Sequence, residues 1–244
     1  MSSAGNLSIE AQTRYAYIAG LIQADFPPPA RVLELGSAPG DQIVALAGLG
    51  YQTTSVDLGS SADAWGGGEE GRMRRLLQEA GVDDVLWNLE TVPYPVQASS
   101  QDVVIMTEVY EHLRDYPVQS LHEVRRILVP GGRLYLTTPN AAYVMNRVRA
   151  ARGQNIATPL NDWIGGVPHA RHAREYTFPE MRTLLDLVGL RVVSATSRHF
   201  HLDSGRTGGL AGLGKKGLAR LAELRPTLGP SIVIVAERSN SDGE

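Results

Sequence analysis

The chain has no cysteine. Disulfides, thiolate metal ligands and a cysteine nucleophile are therefore excluded. It has no apolar run of membrane-spanning length, and the polar start, Met1 to Asn6, has no signal-peptide core. A cytosolic enzyme or binding protein is the expectation. Charge of one sign is not in excess: 23 basic and 26 acidic residues leave a net charge of -3. Nothing in that balance attracts nucleic acid or an anionic membrane in bulk. Internal repeats are missing, and so are the GxGxxG dinucleotide pattern and the lysine of a phosphate-binding P-loop.

What remains is ordinary in bulk and ordered in pattern. At 244 residues, 43% hydrophobic and 20% charged, the chain can bury one large core as a single domain. Apolar positions from Ile9 to Ile22 recur at helical spacing and stop before Pro27-Pro28-Pro29. Strands are expected at Arg31 to Leu35, Tyr51 to Val56, Asp84 to Leu89, Val103 to Thr107 and Arg133 to Thr138. Helices are expected between them at Asp41 to Leu49, Glu70 to Ala80 and Val118 to Leu128, with a loop at Gly59 to Gly68. This alternation implies right-handed crossovers and a parallel sheet covered by helices on both faces. The stretch from Asn140 to Pro168 is long for a connection, which suggests a cap or lid. Beyond it, Phe178 to Val188 reads as helix, and Leu190 to Thr196 and Ser231 to Ala236 as strands. A glycine-rich, then basic segment at Gly205 to Leu228 carries Lys215, Lys216, Arg220 and Arg225. A polar tail, Ser239 to Glu244, closes the chain.

Two places carry chemistry. After the first strand comes Gly36-Ser37-Ala38-Pro39-Gly40, and then a helix. A strand, a glycine-bearing turn and a helix put backbone N–H groups and a helix N-terminus at the carboxyl edge of the sheet, where ligands bind. Asp57 ends the next strand, about 20 residues on, and suits hydrogen bonds to ribose hydroxyls. The second place is Glu108-Val109-Tyr110-Glu111-His112, just after the fourth strand. If the chain is helical there, Glu108, Glu111 and His112 share one face. Two carboxylates and an imidazole then offer an open site for a hard divalent cation. The alternative is a solvated helix start with acidic residues at its dipole.

Together these segments resemble the class I S-adenosylmethionine-dependent methyltransferases. The stretch Val32 to Gly40 looks like the family's first motif, with Glu34 at its acidic position, and Asp57 matches the ribose-binding acid. Asn88-Leu89-Glu90 with Pro93-Tyr94-Pro95 looks like the segment along the adenine. Leu128 to Leu134, with Pro130-Gly131-Gly132, is similar to the turn before strand five. The resemblance implies a Rossmann-like, seven-stranded, mostly parallel α/β sheet with a lid or insert after strand five. It divides residues 1–244, as one domain, into a helical cap at 1–29, a cofactor-binding core at 30–138, a lid at 139–177 and a sheet completion at 178–238 with an insertion at 205–228. It makes S-adenosyl-L-methionine the cofactor, held by Glu34, Gly36, Ser37, Gly40, Asp57, Asn88 and Leu89. Ser37-Ala38-Pro39 is stiffer than the family's usual turn, and Asn88 stands where the family often has Asp.

The string Glu108 to His112 also looks like that of two metal-dependent branches: the O-methyltransferases of ubiquinone biosynthesis, and the enzymes that methylate the terminal 2′-hydroxyl of small RNAs. The latter add a distant histidine, and Arg171 to Thr177 resembles its segment, with His172 at the matching place. His169 is a less secure candidate, and His199 and His201 read as rim residues of an extended segment. The implied metal site is Glu108, Glu111, His112 and His172, holding Mg2+, with Mn2+ or Fe2+ as alternatives. Glu108, Glu111 and His112 are the catalytic set, and His112 is the general base if no metal is used. The expected activity is methyl transfer to a hydroxyl of a sugar, polysaccharide or polyol-like small molecule. The partners expected are that small-molecule or glycan acceptor and a second copy of the chain. RNA as acceptor ranks below the sugar, because basic residues are scattered outside Lys215 to Arg225. A catalytically silent S-adenosylmethionine-binding regulator ranks third, and a nicotinamide dehydrogenase last.

Overall fold

The apolar runs of the sequence become strands with little polar surface: β1 (Arg31–Leu35), β4 (Gln101–Thr107) and β7 (Ser231–Arg238) are buried along most of their length. Burial on both faces requires cover on both sides, which helices supply. In the computed structural model, residues 7–58, 69–157, 160–164, 171–200, 225 and 227–240 are described. The other strands are β2 (Gln52–Asp57), β3 (Asp83–Leu86), β5 (Leu128–Pro139) and β6 (Leu190–Arg198). They form one seven-stranded sheet in the order β3-β2-β1-β4-β5-β7-β6. Strands β1 to β5 pair in parallel, and β7 runs antiparallel between β5 and β6. The seven-stranded, mostly parallel Rossmann-like sheet expected above is the sheet observed.

Two helical layers close it. Ile18 and Ile22 of α1 (Ile9–Asp25), Ile43 and Leu46 of α2 (Asp41–Gly48) and Leu77 of α3 (Glu69–Glu79) pack with Val32, Val103, Ile105 and Tyr135 on one face. On the other, Leu121 and Val124 of α4 (Pro117–Ile127) and Met181 and Leu185 of α7 (Phe178–Leu187) meet Leu33, Val104, Leu134 and Leu136. The helix starts are chemically specified. Ser8 caps α1 by accepting the Ala11 N–H at 3.1 Å. Thr177 and Glu180 form a reciprocal capping box on α7.

Three differences from the sequence reading matter. Strand β5 begins at Leu128, so Pro130-Gly131-Gly132 is a bulge within it rather than a turn before it. The register accordingly slips between the Gln101 and Val103 pairings. Gly132 is required there, since a Cβ would lie 2.9 Å from the Val129 carbonyl oxygen and 3.0 Å from that of Asp102. Second, the connection after β5 holds two helices, α5 (Val144–Ala151) and α6 (Leu160–Ile164). Its ends are pinned together by a bridge between Asn140 and Tyr176. Third, the Gly59 to Gly68 loop, Gly165, Gly166, the Trp163 side chain, His169, His201 and most of the basic 205–228 segment lie outside the described residues. Among the described residues, no helix is long and apolar enough to cross a membrane.

Because β1 sits between β2 and β4, the chain reverses its winding direction there. The crevice at the carboxyl ends of β1 and β4 is the place where such sheets bind ligands. Gly36 and Glu108 to His112 leave the sheet side by side at that edge.

Candidate active site

The β1 turn presses directly on the β4 loop. Gly36 has φ +71°, and a Cβ there would meet Val109 Cγ2 at 2.5 Å, so only glycine fits. Its N–H donates to the Val56 carbonyl at 2.8 Å, and Gly40 N–H donates to the Ser37 carbonyl at 2.7 Å. Asp57 Oδ2 accepts the Ala38 N–H at 3.0 Å, which ties the end of β2 to the turn. Ser37 is buried and shares a 2.6 Å hydrogen bond with Ser55, so its hydroxyl is engaged with β2.

Glu34 is 2% exposed and sits beneath this turn. Burial, and then the charge of Asp57, hold its carboxyl well above the usual carboxylate range, while the Ile43 N–H and Arg14 pull the other way. One of its oxygens, Oε2, has no hydrogen-bond partner among the described residues. Helix α1 brings Tyr15 alongside, whose phenol is pushed up to about 12 by burial and by Glu34. Arg14 and Tyr15 are site neighbours that an apolar helical stripe did not announce. Asn88 Oδ1 accepts the Glu90 N–H at 2.9 Å and so closes a local turn. Leu89 is largely buried in the core, and its carbonyl accepts the Tyr94 hydroxyl at 3.0 Å. Asn88 also lines a cavity of about 260 Å3 with Leu58, Leu86, Trp87 and Thr91, beside the ends of β2 and β3.

At the acceptor end the helical-face expectation is corrected. Glu108 has φ +56°, and only a three-residue 3-10 turn, Tyr110–His112, follows. No α-helical turn forms across Glu108 to His112, so the spacing i, i+3, i+4 does not align the side chains here. Another device does the positioning. Thr137 Oγ1 donates to Glu108 Oε1 at 2.8 Å, and Thr138 Oγ1 donates to Glu111 Oε2 at 3.0 Å. Adjacent strand residues point to opposite faces, so the two carboxylates are tethered on opposite sides of the β5 edge.

Glu111 is anchored to the segment 171–176 through its backbone. Its carbonyl accepts the N–H groups of Ala173 and Arg174 at 2.7 and 3.1 Å. That anchoring carries His172 to His112, with ring centroids 5.0 Å apart and nearly edge-on. Ligand atoms of Glu111, His112 and His172 all lie within 4.8 Å of one another. Glu108 falls outside this trio but remains close enough to act by charge. Glu111 is 1% exposed, and burial, then Glu108, push its carboxyl up to about 8. Its Oε1 has no hydrogen-bond partner among the described residues and lies 4.0 Å from His112 Nε2. The His172 imidazole is raised by Glu175, whose carboxylate meets Nδ1 at 2.9 Å, and further by Glu111 and Glu108.

Glu175, Thr137 and Thr138 are site residues that sequence reasoning missed. The i, i+3 spacing of His172 and Glu175 was the available signal for the first; nothing local marked the threonines. His199 follows β6 with its ring 6.4 Å from Tyr143, outside the trio. As donors, one buried carboxylate with an orphaned oxygen and two imidazoles suit a divalent first-row cation. The Glu175–His172 bond would leave Nε2 as the ligand nitrogen.

Known proteins share this architecture. In the solved structures it is similar to 1,6-didemethyltoxoflavin-N1-methyltransferase of Burkholderia thailandensis, bound to 1,6-didemethyltoxoflavin and S-adenosylhomocysteine. That likeness has TM-score 0.59 at 17% identity, over 94% of this chain and 79% of that one. Phosphoethanolamine N-methyltransferase 2 of Haemonchus contortus, in complex with S-adenosyl-L-methionine, gives TM-score 0.60 at 13% identity, covering 96% and 61%. At such identities the likeness speaks for the fold alone. In sequence, the chain is 31% identical over 127 residues to the ubiquinone biosynthesis O-methyltransferase of Xanthomonas axonopodis pv. citri. The match covers 52% of this chain and 49% of that enzyme, so the chain spans about half the length of the curated relatives it matches. A family model described as a methyltransferase domain matches residues 9–195. With the sheet order, the crevice and that match in agreement, the chain belongs to the methyltransferase domain family.

Proposed function

We propose that the protein transfers a methyl group from S-adenosylmethionine to a hydroxyl of a small sugar-like, polyol or diol acceptor, assisted by a divalent cation at Glu111, His112 and His172. The observation that carries this reading is the trio itself: donor atoms within 4.8 Å and a buried carboxylate oxygen with no other partner. The O-methyltransferase named among the relatives supports hydroxyl as the acceptor group. S-adenosylmethionine supplies an electrophilic sulfonium methyl. Glu111, His112 and His172 would hold the cation, which would supply Lewis acidity toward an acceptor hydroxyl. The donor set favours Mn2+ or Fe2+ over Mg2+, since two of its three members are nitrogens.

The chain's own residues do the rest. Asp57 offers a carboxylate to ribose hydroxyls at the end of β2, and the Gly36 to Gly40 turn lets backbone approach the ligand. Leu58, Leu86 and Trp87 give the adenine an apolar wall. Glu108 adds negative charge beside the trio, and Glu175 fixes the His172 tautomer. His112, partly exposed beside Glu111, is the group placed to accept the hydroxyl proton where no cation is bound. The 139–177 segment serves as a lid that delivers His172. Transfer from labelled S-adenosylmethionine, measured across glycans, phenols and RNA with and without chelator, tests the reading. Transfer to a small diol that chelator abolishes is the expected result. Transfer to RNA alone, or activity unmoved by chelator, would overturn the acceptor or the cation respectively.

A further inference from the structure

We propose that the acceptor carries an anionic group, a carboxylate or phosphate, which Arg149 binds at the far wall of the acceptor cleft. This inference rests on the methyltransferase reading and narrows its substrate to hydroxylated acids. The cleft is a cavity of about 250 Å3. His172 and Glu175 line one side of it, and Tyr143, Asn146 and Arg149 line another. These last three recur every third residue along α5 and its N-cap, so they share one face of the helix. The helix thus presents a phenol, an amide and a guanidinium to the space beside His172.

The α5 wall of this cleft is basic. From Asn140 to Asn161 the chain has Arg147, Arg149 and Arg152 and no carboxylate. Arg147 is spent on the Ala142 carbonyl at 2.7 Å. Arg149 makes no ion pair with any described residue, and its charge pulls the Tyr143 phenol down against the effect of burial. The carboxylate that shares the cleft, Glu175, is already paired with His172 at 2.9 Å. The Asn146 amide nitrogen is held by the carbonyls of Asn140 and Ala141 at 3.4 and 3.3 Å, leaving its oxygen to accept from a substrate hydroxyl. A planar guanidinium with a phenol beside it binds a carboxylate or phosphate through charge-assisted, bidentate hydrogen bonds. The cavity is small by the standard of ligand sites, which fits one substituted ring between Arg149 and the trio.

The test is calorimetric binding to the full chain saturated with S-adenosylhomocysteine. Catechol is compared with 3,4-dihydroxybenzoate, and glucose with glucuronate and with glucose 6-phosphate. The expected result is at least tenfold tighter binding of the charged member in one of the two sets. Which charged member wins separates carboxylate from phosphate. Arg149→Gln should erase the preference and Arg149→Lys retain part of it, while both variants still bind S-adenosylhomocysteine and so are folded. Equal or undetectable binding of charged and neutral members in both sets, or a preference that survives Arg149→Gln, overturns the proposal. Methyl transfer to the preferred ligand is measured separately. Binding preference without transfer would sink the O-methyltransferase reading and leave the anion site standing.

Discussion

The cofactor turn and the acceptor trio sit side by side at the carboxyl ends of β1 and β4, yet they are assembled in opposite ways. The turn is local: Glu34, Gly36, Gly40 and Asp57 all come from one strand-helix-strand unit, and backbone hydrogen bonds hold them. The trio is remote: Glu111 and His112 come from the β4 loop, His172 from beyond α6, and the tethering threonine from β5. Both places bury a glutamate with an orphaned oxygen next to a second carboxylate. Only the trio faces two imidazoles. A buried acid beside another acid is thus shared by both ends, and on the proposed reading the two histidines are what suit one of them to a cation.

The sharpest way to break this comparison is at the point where the two ends touch. Gly36→Ala places a Cβ against Val109 and forces a left-handed alanine. Overpacking of about 1–3 kcal/mol and a left-handed penalty of about 1–2 kcal/mol should together destabilise the fold and disable both ends. Denaturant unfolding should show the loss, and Val109→Ala in the same chain should restore only the packing part. Wild-type stability in Gly36→Ala would refute the contact.

Asp57→Ala separates the ends instead. Hydrogen bonds to a charged group are worth about 1.5–3 kcal/mol each, so S-adenosylhomocysteine should bind tens to hundreds of times more weakly by calorimetry. Cation affinity should stay as it was. An unchanged cofactor affinity would remove Asp57 from the site.

The same contrast explains what could be read from sequence. Strand, turn, helix and Asp57 are encoded by hydrophobic runs and glycines close in sequence, so both the fold and the backbone course of the glycine turn were legible. The strand limits hold to within a few residues, except at β5, where the Pro130-Gly131-Gly132 bulge imitates a turn. At the acceptor end, the residue types were legible and their geometry was not. Glu108 belongs by spacing to a helical face, but its left-handed backbone and the Thr137 tether leave it outside the trio. No periodicity reports a tertiary hydrogen bond from a neighbouring strand, which is why Thr138 and Glu175 escaped notice.

The buried acid of the trio gives a pH test of smaller size. Burial, and then Glu108, push the Glu111 carboxyl up to about 8 in the folded protein, well above the ordinary carboxylate range. A carboxyl raised on folding contributes fully below its unfolded pKa, and that contribution is lost as pH rises through the folded one. Cation-free protein should therefore lose stability between about pH 4.5 and 8, with a slope no steeper than about 1.4 kcal/mol per pH unit. Glu111→Gln should flatten thermal unfolding across that window. An identical slope in the variant would place the effect elsewhere. Smaller still is Glu175→Gln, which leaves every ligand in place but loosens His172. Losing such an orienting partner weakens metal binding by about 10-fold or more, with cofactor affinity unmoved. Equal cation affinity in both proteins would make the Glu175 contact merely structural.

On the proposed reading, Glu111, His112 and His172 form a cation site independent of the glycine turn at Gly36 to Gly40. Titration of Mn2+ into the full chain, followed by calorimetry and by water-proton relaxation, tests it most directly. The account predicts one bound ion per chain, an affinity at least tenfold weaker in each of Glu111→Gln, His112→Ala and His172→Ala, and unchanged S-adenosylhomocysteine binding in all three. No stoichiometric Mn2+ binding by the wild-type chain, or equal affinity in the three variants, would contradict it.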